Sequence, residues 1–366
     1  MLRAGLCAVN RIAVSCYNRK IMAVDRTFGG KRELLARALL CSGASFLLSQ
    51  LPARDSLLVL NYHRIGNPDD DLFDPGVFSA TAEKFDDQIS YLKRQVSLVT
   101  LEEALSFVEG NVKDNVRCCR VLLTFDDGYL DNYDIAYPIL RSHGAQGVFF
   151  LVTSMVGSCH VPWWDHVAYL VKTARRRRFS LRYPAELVID LDKSGLNESL
   201  RLILKLYKRP DNSDSARFIH ELAGETQGDD VPGTLRRFLN WDEAREMIRG
   251  GMAIGSHTHS HHVLSQLDTN RQFEELSESR AILKKELGVE ADALAYPVGG
   301  KISFTDQTQN TARDAGYRAA FSFYGGTNLP GKTSPYDVNR IGIGDQSWGR
   351  FQVQVDVCRA TARYWP

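Results

Sequence analysis

The chain has 366 residues, of which 44% are hydrophobic and 24% are charged. That length suits about two or three domains, or one large barrel with additions, and the composition is that of a folded globular protein. Lysine and arginine together number 45, aspartate and glutamate 44, and the formal net charge is +1. So small a charge creates no global field that would attract nucleic acid, and we expect no nucleic-acid partner.

The cysteine pattern restricts the kinds of metal site that are available. Seven cysteines, an odd number, include the adjacent pair Cys118 and Cys119 and form no Cys-x-x-Cys motif. This pattern indicates neither a disulfide framework nor a zinc site built from thiolates. Any metal ion must therefore be held by histidine and carboxylate side chains.

Residues 1–50 are predicted to be a leader or a helical segment. Residues 1–24 hold four basic residues and no acidic one, which fits a transit-like leader or an upstream start codon. Residues 31–51 resemble a signal sequence, although a packed helix is the favoured interpretation. Because Arg37 interrupts the most apolar run, we expect no transmembrane helix. We favour a location in the cytoplasm or at the periphery of the inner membrane, without a clear cleavable signal.

Apolar runs of strand length alternate with helical patterns along much of the chain. The predicted strands are 57–61, 121–125, 148–152, 252–255, 293–296 and 319–323. The predicted helices are 84–93, 133–142, 241–249, 269–287 and 305–315. We expect Thr269 and Gln272 to form the capping box of the fourth helix and Gly288 to end it. Repeated βα units predict a parallel sheet, either doubly wound or closed into a barrel.

The alternation stops between residues 155 and 240. A stretch of about 85 residues is far longer than the ~2–6 residues of an ordinary connection in such folds, so we interpret it as an insertion, mainly helical. Residues 51–350 are then one barrel-like unit that contains this insertion, and residues 351–366 are a C-terminal tail. Insertions of this size on a barrel usually shape a binding face.

The first motif with chemical meaning is Thr-Phe-Asp-Asp-Gly at 124–128, directly after a predicted strand. Two adjacent carboxylates ionise together only where a cation or hydrogen-bond donors lie nearby. Taken alone, the motif fits a chain-reversing Asp-Asp-Gly turn equally well.

The second motif is the run of residues 256–262, which holds four of the nine histidines. On a helical turn His257 and His261 would point the same way and could hold one metal ion. On an extended segment His257, His259 and His261 would share a face instead. A loose surface chelator is the third interpretation, and spacing alone does not choose among them.

The third motif is Ala-Tyr-Pro-Val-Gly at 295–299, by itself a Pro-Gly turn. All three motifs follow predicted strands, and in parallel α/β folds those strand ends form the face on which active sites assemble. One aspartate and two histidines suit Zn²⁺ or a similar divalent ion, with a position left for water. A second aspartate beside the ligand can take a proton from that water, so the residues predict a metal-dependent hydrolase.

Together these motifs resemble those of the polysaccharide deacetylase (NodB-homology) family, of the carbohydrate esterase type. The resemblance covers about residues 57–344 and includes Tyr62-His63-Arg64 and Asn339-Arg340. It implies a distorted (β/α) barrel of seven or eight strands. It also implies the removal of N-acetyl groups from amino sugars of a polysaccharide or its lipid-linked precursor.

The resemblance carries over to individual residues. It implies that Asp126 is the catalytic base and that Asp127, His257 and His261 are ligands of a divalent metal, with Zn²⁺ favoured. These roles follow from the family's motifs and not from spacing.

Two further features are implied in the same way. The backbone N–H of Val298, in the turn that contains Pro297, helps to hold the oxyanion, and Thr258 steadies the metal-binding loop. His259 and His262 fall at positions that are not ligands.

The chain also departs from the family pattern. Ala295 stands where the third motif often has an arginine that orients the base, and no Leu-Leu-His motif lies near the C-terminus. We expect His63 to donate the proton to the leaving amine, with a structural histidine as the alternative. Arg64 or Arg340 is expected to supply the missing positive charge, and Arg64 is predicted to be the partner of Asp126.

The sequence thus predicts a metal-dependent N-deacetylase whose partner is an N-acetylated glycan. Contact with a membrane periphery or a lipid-linked substrate stays open. The alternatives are an amidohydrolase for a small non-sugar amide and a catalytically weak carbohydrate-binding protein on the same fold. The basic run 175–178 is either a solvated face or a contact for an anionic glycan, a lipid diphosphate or a membrane headgroup.

Overall fold

The computed structural model describes residues 31–71, 73–111, 118–229 and 236–363. The predicted leader of residues 1–30 lies outside these ranges. The strands are β1 (Ser56–Tyr62), β2 (Arg64–Ile65), β3 (Phe78–Ala80), β4 (Ser97–Leu98), β5 (Cys119–Phe125), β6 (Val148–Leu151), β7 (Arg178–Leu181), β8 (Leu187–Asp190), β9 (Ala253–Ser256), β10 (Ala293–Ala295), β11 (Ala319–Phe321) and β12 (Ile341–Gly342).

The α-helices of the described residues alternate with these strands outside the insertion. They are α1 (Lys31–Cys41), α2 (Ala44–Gln50), α3 (Ala82–Gln95), α4 (Leu101–Val108), α5 (Tyr137–Ser142), α6 (Trp163–Lys172), α7 (Leu191–Ser194), α8 (Leu196–Tyr207), α9 (Ser215–Thr226), α10 (Trp241–Arg249), α11 (Thr269–Leu287), α12 (Asp306–Asp314) and α13 (Trp348–Thr361).

The main sheet is parallel and curves into a distorted barrel. Its strands pair in the order β11-β10-β9-β6-β5-β1-β12, and β4 pairs with the first half of β5. Val338 pairs with Phe321 of β11, and Ile341 pairs with Leu60 of β1. The segment that contains Val338 and Ile341 therefore joins the two edges of the sheet. The predicted fold class, a distorted barrel with a mainly helical insertion, is confirmed.

The barrel is held by two layers of apolar side chains from the same strands. All seven residues of β1 and of β5 are buried, as expected for parallel strands covered on both faces. Leu57 and Val59 pack inside the barrel with Phe150 and Phe321. Their neighbours along β1 pack outward against the surrounding helices, for example against Phe85 of α3.

Each predicted strand and helix overlaps an observed one, but the predicted capping box is wrong. The N-cap of α11 is Asp268, whose carboxylate accepts a hydrogen bond from the Arg271 N–H at 3.0 Å. The amide of Gln272 instead donates to the Leu267 carbonyl at 2.9 Å. A short aspartate side chain reaches the free amides of the first turn well, so the helix begins at Thr269 itself.

The inserted residues form a small unit with its own apolar core. It comprises α6 to α9 and the antiparallel hairpin of β7 and β8. Val167, Leu181, Ile203, Phe218 and Leu222 are buried in this core. Part of the α8 surface also lines a groove above the barrel, so the insertion forms one wall of that groove.

The C-terminal residues pack against the N-terminal helices. Residues 351–361, predicted to belong to a tail, form most of α13, in which Phe351, Val355 and Cys358 are buried. Helix α13 contacts both α1 and α2. Among the described helices, none combines the length and the apolarity needed to cross a lipid bilayer.

A glycine inside the barrel gives a test of this packing. A Cβ atom built on Gly255 of β9 would lie 2.5 Å from the buried ring of Phe150. We therefore expect Gly255→Ala to lower the free energy of unfolding by about 1–3 kcal/mol through overpacking. Denaturant unfolding measures this change.

The matched control is Gly224→Ala in α9. Nothing lies within 4 Å of a Cβ atom at Gly224, so the same substitution should leave stability unchanged or raise it by up to about 1 kcal/mol. Equal stability of Gly255→Ala and the unaltered protein would contradict the described barrel interior.

Candidate active site

Three predicted site segments meet at the carboxyl ends of the barrel strands. Asp126 follows β5, and its N–H donates to the Tyr62 carbonyl of β1 at 3.0 Å. His257 follows β9, and its N–H donates to the Leu151 carbonyl of β6 at 2.9 Å. Pro297 lies just beyond β10. Each chemical group thus extends from a buried strand, which fixes its position on one face of the barrel.

Asp127, His257 and His261 form a compact, buried cluster. Their ligand atoms all lie within 4.8 Å of one another. The Asp127 Oδ1 atom is 3.5 Å from His257 Nε2 and 3.4 Å from His261 Nε2. Bonds of about 2.0–2.1 Å to a tetrahedral zinc ion place neighbouring ligand atoms about 3.3 Å apart, so the spacing fits such an ion.

The surroundings of the cluster favour a bound cation. His257 Nδ1 lies 2.7 Å from the Ala295 carbonyl, so it carries the proton and leaves the Nε2 lone pair directed at Asp127. Burial lowers the pKa of His257 and of His261, which keeps both imidazoles neutral. Burial and the charge of Asp126 raise the pKa of Asp127, whose Oδ1 atom has no hydrogen-bond partner in the described structure. A divalent ion would satisfy all three groups.

The backbone of the site is strained. Of the six described residues other than glycine with positive φ, four lie here: Asp127 (73°), Thr258 (68°), His261 (59°) and Val298 (63°). Such conformations cost about 1–3 kcal/mol each and persist where the surrounding structure enforces them. Their concentration here indicates that the fold holds these side chains in a functional geometry.

Two side chains, those of Thr258 and Glu275, accept hydrogen bonds that hold the backbone of residues 257–261 in this conformation. The Thr258 hydroxyl accepts from the His261 N–H at 3.1 Å, which agrees with a supporting role for Thr258. Glu275 of α11 accepts from the N–H groups of His259 at 3.1 Å and Ser260 at 2.8 Å. Sequence reasoning missed Glu275, because an acidic residue within an ordinary helix gives no signal of this contact.

His259 lies outside the cluster. Its Nδ1 atom is 3.0 Å from the Thr153 hydroxyl, and its Nε2 atom is 3.7 Å from Glu278. The arrangement in which His257, His259 and His261 share one face of an extended segment is therefore not observed.

Asp126 is held by two donors that the barrel closure brings to it. Arg340 Nη1 donates to Asp126 Oδ1 at 2.6 Å, and Asn61 Nδ2 donates to Oδ2 at 3.0 Å. Arg340 is fully buried, and its Nε also donates to the Ser322 carbonyl at 3.0 Å. Burial alone would raise the pKa of Asp126, but the surrounding positive charge, chiefly that of Arg340, and the Arg340 hydrogen bond together outweigh burial, and the pKa is lowered. The carboxylate is ionised at neutral pH.

The prediction that Arg64 is the partner of Asp126 is wrong. Arg64 Nε donates to Asp131 Oδ2 at 2.8 Å, and its guanidinium also pairs with Asp71. Since adjacent residues of an extended segment point to opposite sides, Arg64 faces away when His63 faces the site. Arg340, the other candidate, supplies the positive charge.

His63 lies next to Asp126, at the edge of the groove. Its Nε2 atom is 3.9 Å from Asp126 Oδ2, and its ring packs edge-on against Phe323 at 5.6 Å. The Asn132 amide donates to the His63 carbonyl at 2.7 Å and fixes the backbone. Burial lowers the pKa of His63 to about 4, although the charge of Asp126 opposes this shift. His63 is therefore neutral at neutral pH.

Val298 forms the centre of a tight turn beside the groove. The Gly299 N–H donates to the Pro297 carbonyl at 2.7 Å, a three-residue turn that accounts for the positive φ of Val298. The Val298 N–H has no acceptor among the described residues, and Val298 lines the groove. A free donor at this place is suited to a developing negative charge.

The groove measures about 920 Å³ and runs between the barrel face and the insertion. His63 and Val298 lie on its barrel side, and Leu200 and Leu204 of α8 on its insertion side. The neighbouring Trp164 is buried, and its ring centre is 4.4 Å from that of His261. Trp164 therefore packs against this ring and is not exposed for stacking on a substrate.

The chain is similar to proteins of known class. It is 30% identical to the poly-beta-1,6-N-acetyl-D-glucosamine N-deacetylase of Staphylococcus epidermidis over 115 residues, 29% of this chain and 39% of that protein. Its structure is similar to the deacetylase PplD of Streptococcus pyogenes in complex with acetate (TM-score 0.53, 19% identity, 82% of this chain and 97% of that chain).

It is also similar to IcaB from Ammonifex degensii (TM-score 0.53, 21% identity, 85% of this chain and 100% of that chain). At these identities the two structures support the fold alone. The model of the polysaccharide deacetylase family matches residues 113–320, more than half of the chain. The chain therefore belongs to the polysaccharide deacetylase family.

Proposed function

We propose that the protein is a metal-dependent hydrolase that removes N-acetyl groups from amino sugars of a polysaccharide or of its lipid-linked precursor. The main observation behind this proposal is that the two adjacent carboxylates have different partners. Asp127 faces two neutral imidazoles, whereas Asp126 is ionised and held by Arg340. Hydrolysis by an activated water requires a metal ion, which three ligands can hold, and a general base positioned beside it. Membership of the family supports deacetylation as the reaction.

Asp127, His257 and His261 would hold the metal ion. Their nitrogen and oxygen donors and their spacing suit Zn²⁺, and other divalent ions accept the same donors. When bound, such an ion polarises the acetyl carbonyl and lowers the pKa of water.

Asp126 is proposed to accept the proton of the attacking water. Arg340 and Asn61 bind one oxygen each, so the carboxylate is oriented before substrate arrives and no orientation entropy is lost in the reaction. Its lowered pKa makes it a weak base that is always ionised, which suits a water made acidic by a nearby cation. The Val298 N–H is proposed to donate a hydrogen bond to the oxyanion that forms at the acetyl carbon.

His63 is proposed to protonate the leaving amine. Because His63 is neutral at rest, it must first gain a proton, and Asp126 Oδ2 at 3.9 Å is the proposed source. The proton taken from water by Asp126 would thus reach the amine nitrogen through His63 as the C–N bond breaks. The products are acetate and a free amine.

The groove favours a glycan over a small amide as substrate. Its volume of about 920 Å³ is near the upper end of the ~300–1,000 Å³ typical of ligand pockets and exceeds what a small amide fills. The presence of His63 beside Asp126 supports an active enzyme over a weak binding protein, since a proton donor is in reach of the base.

The test is an assay of acetate release. N-acetylhexosamine oligomers and small non-sugar amides are compared, each with and without a chelator. We expect release from the oligomers that stops with the chelator and returns with added Zn²⁺. Release from small amides alone would replace the proposal with the amidohydrolase alternative, and binding without release would favour the carbohydrate-binding alternative.

The metal assignment predicts metal content directly. Purified protein should bind one divalent ion, and Asp127→Ala and His257→Ala should lose most of it, because each removes one of three ligands. His259→Ala is the control and should keep full occupancy, since His259 contacts Thr153 instead. Elemental analysis of the dialysed proteins measures this, and full metal content in His257→Ala would refute the ligand set.

The base assignment predicts a loss of turnover without a loss of metal. Asp126→Asn keeps the shape of the side chain but removes its basicity, so the rate should fall about 100- to 10,000-fold. Metal content measured on the same sample should stay at the level of the unaltered protein. Retention of more than about a tenth of the rate would contradict a general base.

The proton-donor assignment predicts a dependence on the leaving group. His63→Ala should lose far more activity on an N-acetyl sugar than on an activated aryl acetate, whose leaving group needs no proton. Equal losses on the two substrates would make His63 structural.

The lowered pKa of His63 also has a consequence for the pH profile. The neutral form that accepts a proton dominates above a pKa of about 4, so kcat/KM should not fall as pH rises through 6.5. A decline near pH 6.5 that disappears in His63→Ala would show instead that the resting enzyme needs protonated His63.

A further inference from the structure

The insertion contributes one face of a helix to the substrate groove. The α8 helix and the residue after it place side chains three or four positions apart along this wall: Asn197, Leu200, Arg201, Leu204, Lys205 and Lys208. Three of these six side chains are basic. The opposite wall holds His63 and Val298, so this basic face lies across the groove from the proposed reaction centre.

The three basic residues differ in how their charges are balanced. Arg201 is neutralised by Glu198, which accepts two of its hydrogen bonds at 2.7 and 2.6 Å. Neither Lys205 nor Lys208 has a carboxylate within 4 Å among the described residues. The acid that lines the groove is Asp74, and its Oδ1 atom accepts from the Gly76 N–H at 2.8 Å. The groove lining therefore holds two unpaired lysines against one carboxylate.

The basic run of residues 175–178 is largely paired, and of its four arginines only the exposed Arg178 has no carboxylate within 4 Å among the described residues. Arg175 pairs with Asp229 at 2.7 Å, Arg176 with Glu225 at 3.0 Å, and Arg177 with Asp192 at 3.0 Å. These exposed pairs form within the insertion and largely cancel its charge. Most of the charge of this run is therefore compensated, whereas both groove lysines lack a carboxylate partner in the described structure.

Lys208 is the better placed of the two free lysines. It is half-buried at the end of α8, and its ammonium lies 5.8 Å from the centre of the Trp163 ring. Burial lowers the pKa of Lys208, and the charges of Asp74 and Asp127 oppose this shift. Its charge also contributes to the lowered pKa of His63 and of His261, so the ammonium acts electrostatically on the proposed site. A cation in such a site is partly removed from water and gains from an anionic ligand.

We infer that the insertion selects substrates that carry an anionic group, a carboxylate or a phosphate, next to the N-acetylated sugar, and that Lys208 binds this group with Lys205 as a second cation. The inference rests on the proposed deacetylase function and specifies its substrate class. The geometry behind it is a groove with basic residues on one wall and the reaction centre on the other.

The experiment compares three substrates, of which the first two differ only in charge. The first is an N-acetylhexosamine oligomer with a hexuronic acid beside the acetylated sugar, the second is the same oligomer with that carboxyl reduced to an alcohol, and the third is a short-chain prenyl diphosphate N-acetylhexosamine. A charge-assisted hydrogen bond is worth at least about tenfold, so kcat/KM should be at least about tenfold higher for a charged substrate than for the reduced oligomer. Preference for the uronate would identify the polymer as the source of the anion, and preference for the diphosphate would identify the lipid-linked precursor.

Variants assign the preference to Lys208. Lys208→Met keeps an unbranched stem against Trp163 and removes the charge, so the ratio of kcat/KM values should fall toward one, and Lys208→Arg should restore most of it. Both kcat/KM values are measured on the same protein sample, so the fraction of folded protein cancels from their ratio. The control is Lys193→Gln, which removes a cation from the insertion outside the groove and should leave the ratio unchanged. An unaltered protein without charge preference, or a Lys208→Met protein that keeps it, would overturn the inference.

A binding measurement separates this inference from the proposed function. If no substrate releases acetate, the proposed function fails, and calorimetric binding of the uronate and reduced oligomers still decides the inference. Tighter binding of the uronate that is lost in Lys208→Met would support it, and equal binding of the two oligomers would overturn it.

Discussion

The contact on which the structure depends most is the buried ion pair of Arg340 with Asp126. Arg340 reaches Asp126 at the end of β5, Asn61 of β1 and the Ser322 carbonyl beyond β11, so one guanidinium connects three strands at the barrel closure. Removing one partner of a buried pair typically costs about 3–5 kcal/mol, because a charge is left without compensation. The closure of the barrel and the orientation of the proposed base therefore rest on the same side chain.

This pair also explains how two neighbouring carboxylates share one site. Asp126 keeps its charge because Arg340 lies 2.6 Å away. Asp127 has a left-handed backbone with φ of 73° and faces His257 and His261 instead. The strained turn sends adjacent side chains to different partners, which allows one to act as base and the other as metal ligand.

The sequence predicts much of this arrangement. It does not predict contacts between residues that are far apart in the chain. Apolar runs predict the central strands because β1 and β5 are buried along their whole length. The choice of Arg340 over Arg64 depends on the pairing of β12 with β1, which no local pattern reports. If the sequence had shown that His63 faces the site, Arg64 would have been excluded as the partner of Asp126, because adjacent residues of an extended segment point to opposite sides. The contacts of Glu275 and the groove face of α8 follow from tertiary packing alone.

Anomalous diffraction from crystals of zinc-loaded protein distinguishes the roles of Asp126 and Asp127. We expect one strong zinc peak at about 2.0–2.2 Å from Asp127, His257 and His261, with Arg340 still bound to Asp126. A peak ligated by Asp126, or an Arg340 side chain that has left Asp126, would contradict these roles.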